Sequence, residues 1–336
     1  MNQSVRRFKR NIVESRFTPF VITLLAIFMR LGLFLTTEIQ PLEHSSSFIW
    51  HLLSPFFSNP WISLGASTIS IFIIANTISQ LNLRFSLIRF RTTLPFSLLV
   101  FLFSVHPLFL PMSPDYVSVI FILFAFFPLL HSYQHHSPRN FAFKSGVLIG
   151  LAATFQVYAI LLLPLWWYGE VSMHGFRIKS FFALVIGSIL VFWNVAGLYF
   201  IFDDLQSFIT PFTYFEKIEL LLPHFSLMKW NGIGLLVLLS AIFLFADIKI
   251  FKRERVLTHK TLSFVVLIIT SSFILNFIYW RETQFFVYTI IALISFIVAH
   301  YYSHISSNWQ VYSFVVVFFV LLLLYIIHLI GYPLFL

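Results

Sequence analysis

Few groups in this chain are able to do chemistry, and they stand far apart. Glu38 and Glu43, the second followed at once by His44, occupy the polar stretch "TEIQPLEHSSSF". Asp115 follows a proline in "MSPDYV", and Arg281 with Glu282 interrupts an apolar run at "YWRETQ". Arg30 and Gln156 are polar residues inside long apolar runs. A carboxylate takes the proton of an attacking hydroxyl, and a guanidinium grips phosphate oxygens through paired N–H bonds. Glu43 and then Glu38 are therefore candidates for a catalytic base and Asp115 for a second acid. Arg281, Arg30 and Gln156 are candidates for binding substrate.

Each candidate has a plainer reading beside it. The two glutamates suit an ordinary solvated loop, and Asp115 or Ser113 beside Pro114 suits a helix cap. Arg281 next to Glu282 suits a surface pair, Arg30 suits a side chain that snorkels to the interface, and Gln156 and Asn194 suit interhelical amide bonds. His131, His135 and His136 in "HSYQHHSPR" lack a partnering carboxylate, so no metal site is assigned to them. Asp203 and Asp204 read as a solvated helix end or a divalent-cation pair. The apolar stretch at 212–222 that follows suits a segment lying in the interface. No cofactor is demanded by any motif; a divalent metal ion beside these acids is the one candidate. The chain has no cysteine, which removes thiolate ligands, thiol nucleophiles and disulfides. It has no phosphate-cradling glycine loop, zinc-protease helix, serine elbow or nucleic-acid module.

The elements that must position these groups are membrane helices. Hydrophobic residues make up 59% of the chain and charged ones only 10%, whereas a soluble domain keeps about a quarter of its residues charged. Apolar runs near 17–36, 61–79, 94–111, 115–131, 145–168, 180–202, 232–248, 262–279, 285–302 and 310–330 approach or exceed the roughly 18 to 20 residues of a helical span. The expectation is one transmembrane domain over residues 1–336, an all-α polytopic bundle, because helices satisfy their own backbone bonds in lipid.

Orientation follows from basic residues, which stay on the cytoplasmic side. The basic start "MNQSVRRFKR" precedes a long apolar run with no small-x-small cleavage site and reads as the cytoplasmic part, 1–16, of an uncleaved anchor. If 145–168 crosses once, Arg177, Lys179 and the cluster Lys249, Lys252, Arg253, Arg255 and Lys260 fall outside. If it doubles back near Thr154–Gln156, only Lys217, Lys229 and Arg281 do. The double pass is therefore expected, as a short broken helix pair with legs of about a dozen residues each, set against protein or a water-filled cavity. It yields about 11 membrane segments, outer loops at 37–60 and 203–231, and a location in a plasma membrane of bacterial inner-membrane type. Trp166, Trp167, Tyr168, Tyr301 and Tyr302 fall where interfacial anchors are expected.

In order, the chain gives "FMRLGLFL", an acidic loop "TEIQPLEHSSSFIWHLL", "HPLFLPMSPDYVSVIFILFAFFPLL", "SGVLIGLAATFQVYAILLLP" and "YWRETQFFVYTIIALISFIVAHYY". Over residues 17–300 this order resembles the membrane glycosyltransferase C (GT-C) superfamily, and the chain is also similar to uncharacterised small bacterial polytopic proteins. The GT-C resemblance implies an acidic first outer loop, short paired helices made by a small-residue segment, a late Arg before an apolar run, and a polyprenyl-phosphate-linked sugar as donor. Two departures stand out: the loop offers glutamates where Asp is usual, and Gln156 stands where Lys is frequent. The outer soluble domain of large members is missing.

Three functions compete: a glycosyltransferase at the outer leaflet, a non-catalytic membrane subunit that scaffolds a larger complex, and a lipid or small-molecule transporter. Membrane lipid, a polyprenyl-phosphate sugar and membrane proteins are the expected partners, and nucleic acid is not. One broken segment without a matching second lowers the transporter reading.

Overall fold

The computed structural model describes residues 3–37, 47–88, 92–135, 137–216, 227–251, 254–279 and 283–330. Its helices are α1 (Gln3–Phe8), α2 (Thr18–Thr36), α3 (Trp50–Leu53), α4 (Pro60–Phe85), α5 (Leu94–Leu102), α6 (Pro114–His131) and α7 (Arg139–Phe155). They continue with α8 (Leu163–His174), α9 (Ile178–Ile201), α10 (Leu205–Ile209), α11 (Leu227–Phe251), α12 (Val256–Ile278), α13 (Thr283–Ser303) and α14 (Asn308–Leu329). Among the described residues there is no strand, and seven helices (α2, α4, α6, α9, α12, α13 and α14) are long and apolar enough to cross a membrane. The expected all-helical bundle is present.

Local chemistry sets the ends. Asn59 accepts a bond from the Trp61 N–H at the start of α4, with Pro60 in the first turn, and Ser307 with Gln310 forms a capping box on α14. α13 is the axis of the bundle, 94% buried along its apolar window and packed by α4, α5, α6, α11 and α12. α2 and α14 are peripheral, 22% and 17% buried. Their outward faces, with Phe20, Phe28, Val316 and Phe319, are the apolar surface expected against lipid.

The run at 94–111 does not form one helix, contrary to expectation. α5 ends at Leu102, and the chain continues irregularly to Ser113, with one 3-10 turn at Pro107–Phe109. Pro107 and Pro114 disfavour a helical residue before them, and His106 and Ser113 are both extended. Phe103, Ser104, Val105, His106, Phe109, Leu110 and Ser113 are buried, so this bent backbone is enclosed by protein.

Residues 145–168 do double back. α7 stops at Phe155, Gln156 is extended (φ −144, ψ 108), and a 3-10 stretch at Val157–Leu162 leads into α8. At the turn Gln156 meets Asp115, in the first turn of α6. On the return, Trp166 packs its ring against Phe126 and Glu170 lies against Ser132, just past the end of α6. The chain has thus run down α6 and back. The legs are longer than expected, 17 residues in α7 and 12 in α8 after the 3-10 stretch, because α7 begins among the polar residues at Arg139.

The return lets α9 lie parallel to α7, and the two touch backbone to backbone. A Cβ added at Gly146 would sit 2.0 Å from the Leu184 carbonyl oxygen, and one at Gly187 would sit 2.4 Å from that of Phe143. Small residues are the usual means of such close approach in membranes. Two expected anchors are corrected here: Trp166, wedged between Phe126 and Phe264, and Tyr302 are buried in the core, because the hairpin and α13 lie inside the bundle. Asn194 is exposed and donates to the Leu190 carbonyl of its own helix, so it makes no interhelical bond.

Candidate functional site

The break between α5 and α6 frees backbone groups that must find partners. Arg30 Nη1 donates to the Phe103 carbonyl at 3.2 Å and Nη2 to that of Leu110 at 3.5 Å. Its Nε reaches Thr68 Oγ1 at 3.0 Å and Nη2 reaches Ser67 Oγ at 2.6 Å. Ser67 donates to Leu110 O at 2.6 Å, Tyr116 to Phe109 O at 2.6 Å, and Tyr288 to Leu108 O at 3.0 Å. The Met112 N–H is accepted by Ser63 Oγ at 2.7 Å. Side chains from α2, α4, α6 and α13 thus hold one irregular segment. Arg30, 2% exposed, does not snorkel; it is the guanidinium of this clamp.

Beside the clamp, Gln156 Nε2 donates to Asp115 Oδ1 at 3.0 Å and Ser113 Oγ donates to Oδ2 at 3.2 Å. Asp115 and Gln156 are both fully buried. Ser113 occupies the N-cap position of α6 without a side-chain cap bond, so neither residue caps the helix. The Asp115 carboxylate holds the hairpin turn against the start of α6.

The first polar loop is fastened to the same turn. Phe48 N donates to Thr154 O at 3.0 Å, and Ser47 Oγ donates to the same oxygen at 3.3 Å. Tyr199, near the end of α9, donates to Phe48 O. The Phe48 ring packs against Phe192, Phe208 and Phe212, and Tyr158, just after the turn, packs on Phe215 and Tyr279. The flanks of the loops expected on one face therefore gather at the hairpin turn, with Asp115, Gln156 and Arg30 beneath them. Glu38, Glu43 and Arg281 lie outside the described residues, as do His44 and Glu282.

No family model, curated protein or solved structure matches this chain. Its chemistry is read from its own residues.

The remaining sequence candidates have local roles. Asp204 Oδ1 accepts the Ser207 N–H at the start of α10, His131 bonds the Phe127 carbonyl, and His135 accepts the Ser137 N–H. What sequence reasoning missed are buried acid–imidazole pairs. His174 Nε2 lies 2.7 Å from Glu170 Oε2, four residues before it. His300 Nδ1 lies 2.9 Å from Asp247 Oδ1, and His304 Nε2 lies 3.1 Å from Glu254 Oε1. The i, i+4 spacings Glu170–His174 and His300–His304 were the available signals, since such pairs share a helix face. Asp247 and Glu254 had no local pattern to mark them.

Proposed function

We propose that this chain is an eleven-pass membrane protein that transfers a glycosyl group from a polyprenyl-phosphate donor at the hairpin-turn end. Four passes join the seven long helices in this reading: α5 with its irregular continuation, α7, the 3-10 stretch with α8, and α11. The observation that carries the functional part is the fastening of Ser47 and Phe48 to Thr154, two residues from Gln156. It brings the flank of the loop bearing Glu38 and Glu43 to the turn above Asp115, the arrangement that the GT-C resemblance implies. In this reading Glu43 takes the acceptor's proton, with Glu38 second, and Arg281 holds the departing phosphate. Full burial makes Asp115, Gln156 and Arg30 positioning residues: Asp115 accepts from the Gln156 amide, and Arg30 donates to the Phe103 carbonyl.

That same burial favours a second reading, a non-catalytic scaffold subunit, in which the clamp serves only to hold the bundle. Purified protein in liposomes containing a polyprenyl-phosphate sugar and acceptor lipids separates the two. Turnover that Glu43→Gln abolishes, with insertion and melting temperature unchanged, supports transfer. Unaltered turnover in the Glu38→Gln, Glu43→Gln double variant removes the transferase assignment to these acids. Copurification of a stoichiometric membrane partner without turnover supports the scaffold.

A further inference from the structure

The opposite end of the bundle holds a group of side chains that the proposed transfer does not use. Asp247 near the end of α11, Glu254 before α12, and His300 and His304 at the end of α13 converge there. The ligand atoms of Glu254, His300 and His304 all lie within 4.8 Å of one another. His300 is fully buried and Asp247 is 1% exposed, while the His304 side chain keeps 17% exposure.

The imidazole hydrogen bonds point to a metal site. His300 Nδ1 faces both carboxylate oxygens of Asp247, at 2.9 and 3.0 Å, and His304 Nδ1 faces the His300 carbonyl at 3.0 Å. A ring nitrogen that donates to a carboxylate or carbonyl leaves the other nitrogen with its lone pair free for a metal; this outer contact also fixes the ring's orientation. On His300 that second nitrogen is Nε2, and His304 Nε2 lies 3.1 Å from Glu254 Oε1, close enough for one ion to bridge the two. Two separate ion pairs would account for Asp247 and Glu254 but leave a buried polar atom unserved, because His300 Nε2 has no hydrogen-bond partner. An enclosed imidazole nitrogen without a partner, beside a second imidazole and a carboxylate, is what a divalent ion would satisfy.

We infer that His300 Nε2, His304 Nε2 and a Glu254 carboxylate oxygen bind a divalent transition-metal ion, with Asp247 supporting His300 from behind. Two imidazoles and a carboxylate suit zinc, with a fourth position left for water, and disfavour magnesium and calcium, which take oxygen ligands. Bound there, the ion ties the connection between α11 and α12 to the end of the central helix. The site lies at the far end of the bundle from Asp115, so it stands or falls apart from the transferase reading.

The test uses full-length protein in detergent, purified through a tag free of histidine, stripped with chelator and titrated with zinc and with cobalt(II). The expected result is one metal per chain and the intense visible absorption of four-coordinate cobalt with nitrogen and oxygen ligands. His304→Gln, at the partly exposed ligand, and His300→Ala should both abolish tight binding. Asp247→Asn should keep the stoichiometry and weaken affinity by about 10- to 100-fold. If His300→Ala misfolds, the wild-type cobalt spectrum and His304→Gln decide. A folded wild-type chain that binds neither ion overturns the site, as does equal binding by a folded His304→Gln variant.

Discussion

Gln156 Nε2 donates to Asp115 Oδ1 across 3.0 Å, and this bond joins the turn of the α7–α8 hairpin to the first turn of α6. Both residues are fully buried, so neither finds water when the other is removed. Interhelical polar bonds in membranes are worth about 0.6 kcal/mol on average and at most about 1.7, less than isolated burial suggests. The single variants Asp115→Leu and Gln156→Leu should each lower the melting temperature in detergent. In the double variant the losses should fall short of additive by about 0.6–1.7 kcal/mol. Strictly additive losses would mean that the bond contributes nothing to the hairpin's position.

Arg30 should prove a part of the backbone's hydrogen bonding. Bonds from a charged donor contribute about 1.5–3 kcal/mol, and Arg30→Met leaves the Phe103 carbonyl and Thr68 without theirs. Leu110 O keeps Ser67. Arg30→Met should therefore cost about 1.5–3 kcal/mol. Arg30→Lys should recover little of it, since a single ammonium lacks the planar fork that reaches both carbonyls and both hydroxyls. Full recovery with Lys, read by thermal unfolding, would show that charge alone matters at this position.

The helical class was legible because long apolar runs have one solution in lipid, and the doubling at Thr154–Gln156 was legible from Arg177, Lys179 and the basic cluster at 249–260. The end of α5 was harder to see. "LLVFLFSVHPLFL" is apolar throughout, and only His106–Pro107 marks the break, whose enclosure depends on Arg30, Ser67, Tyr116 and Tyr288 arriving from four other helices. Arg30 stood out as a costly charge in a span, yet its acceptors, Ser67, Thr68, Phe103 and Leu110, lie at least 37 residues away. The Asp247–His300 pair, 53 residues apart, has no local pattern at all. Periodicity and charge report on single elements; a site made of side chains from several becomes visible only when the elements are packed.

The α7–α9 contact makes a sharper mechanical prediction. Gly146→Leu must displace the Leu184 backbone, which a Cβ would meet at 2.0 Å, whereas Gly197 has nothing within 4 Å of an added Cβ. Overpacking of this kind costs about 1–3 kcal/mol or more when backbone is the obstacle. Gly146→Ala should already destabilise, Gly146→Leu should more, and Gly197→Ala should stay near wild type or gain slightly from helix propensity. Equal melting temperatures for Gly146→Ala and wild type would show that α7 and α9 are not held in backbone contact.

The arrangement of the ends is testable because the chain has no cysteine, so each introduced one reports alone. Phe176 and Val256 are exposed, 66% and 62%, at the starts of α9 and α12, and Glu14 is exposed before α2. Ser58 is exposed before α4, at the hairpin-turn end. With α7 and α9 parallel, Phe176→Cys must share a side with Glu14→Cys, and the alternation of the later helices puts Val256→Cys there too. In intact cells a membrane-impermeant maleimide should label Ser58→Cys and spare the other three, which should react only after permeabilisation. The decisive comparison is Phe176→Cys against Ser58→Cys: labelling of both from the same side would require a single pass through residues 145–168, and a chain that crosses once there cannot lay α9 parallel to α7.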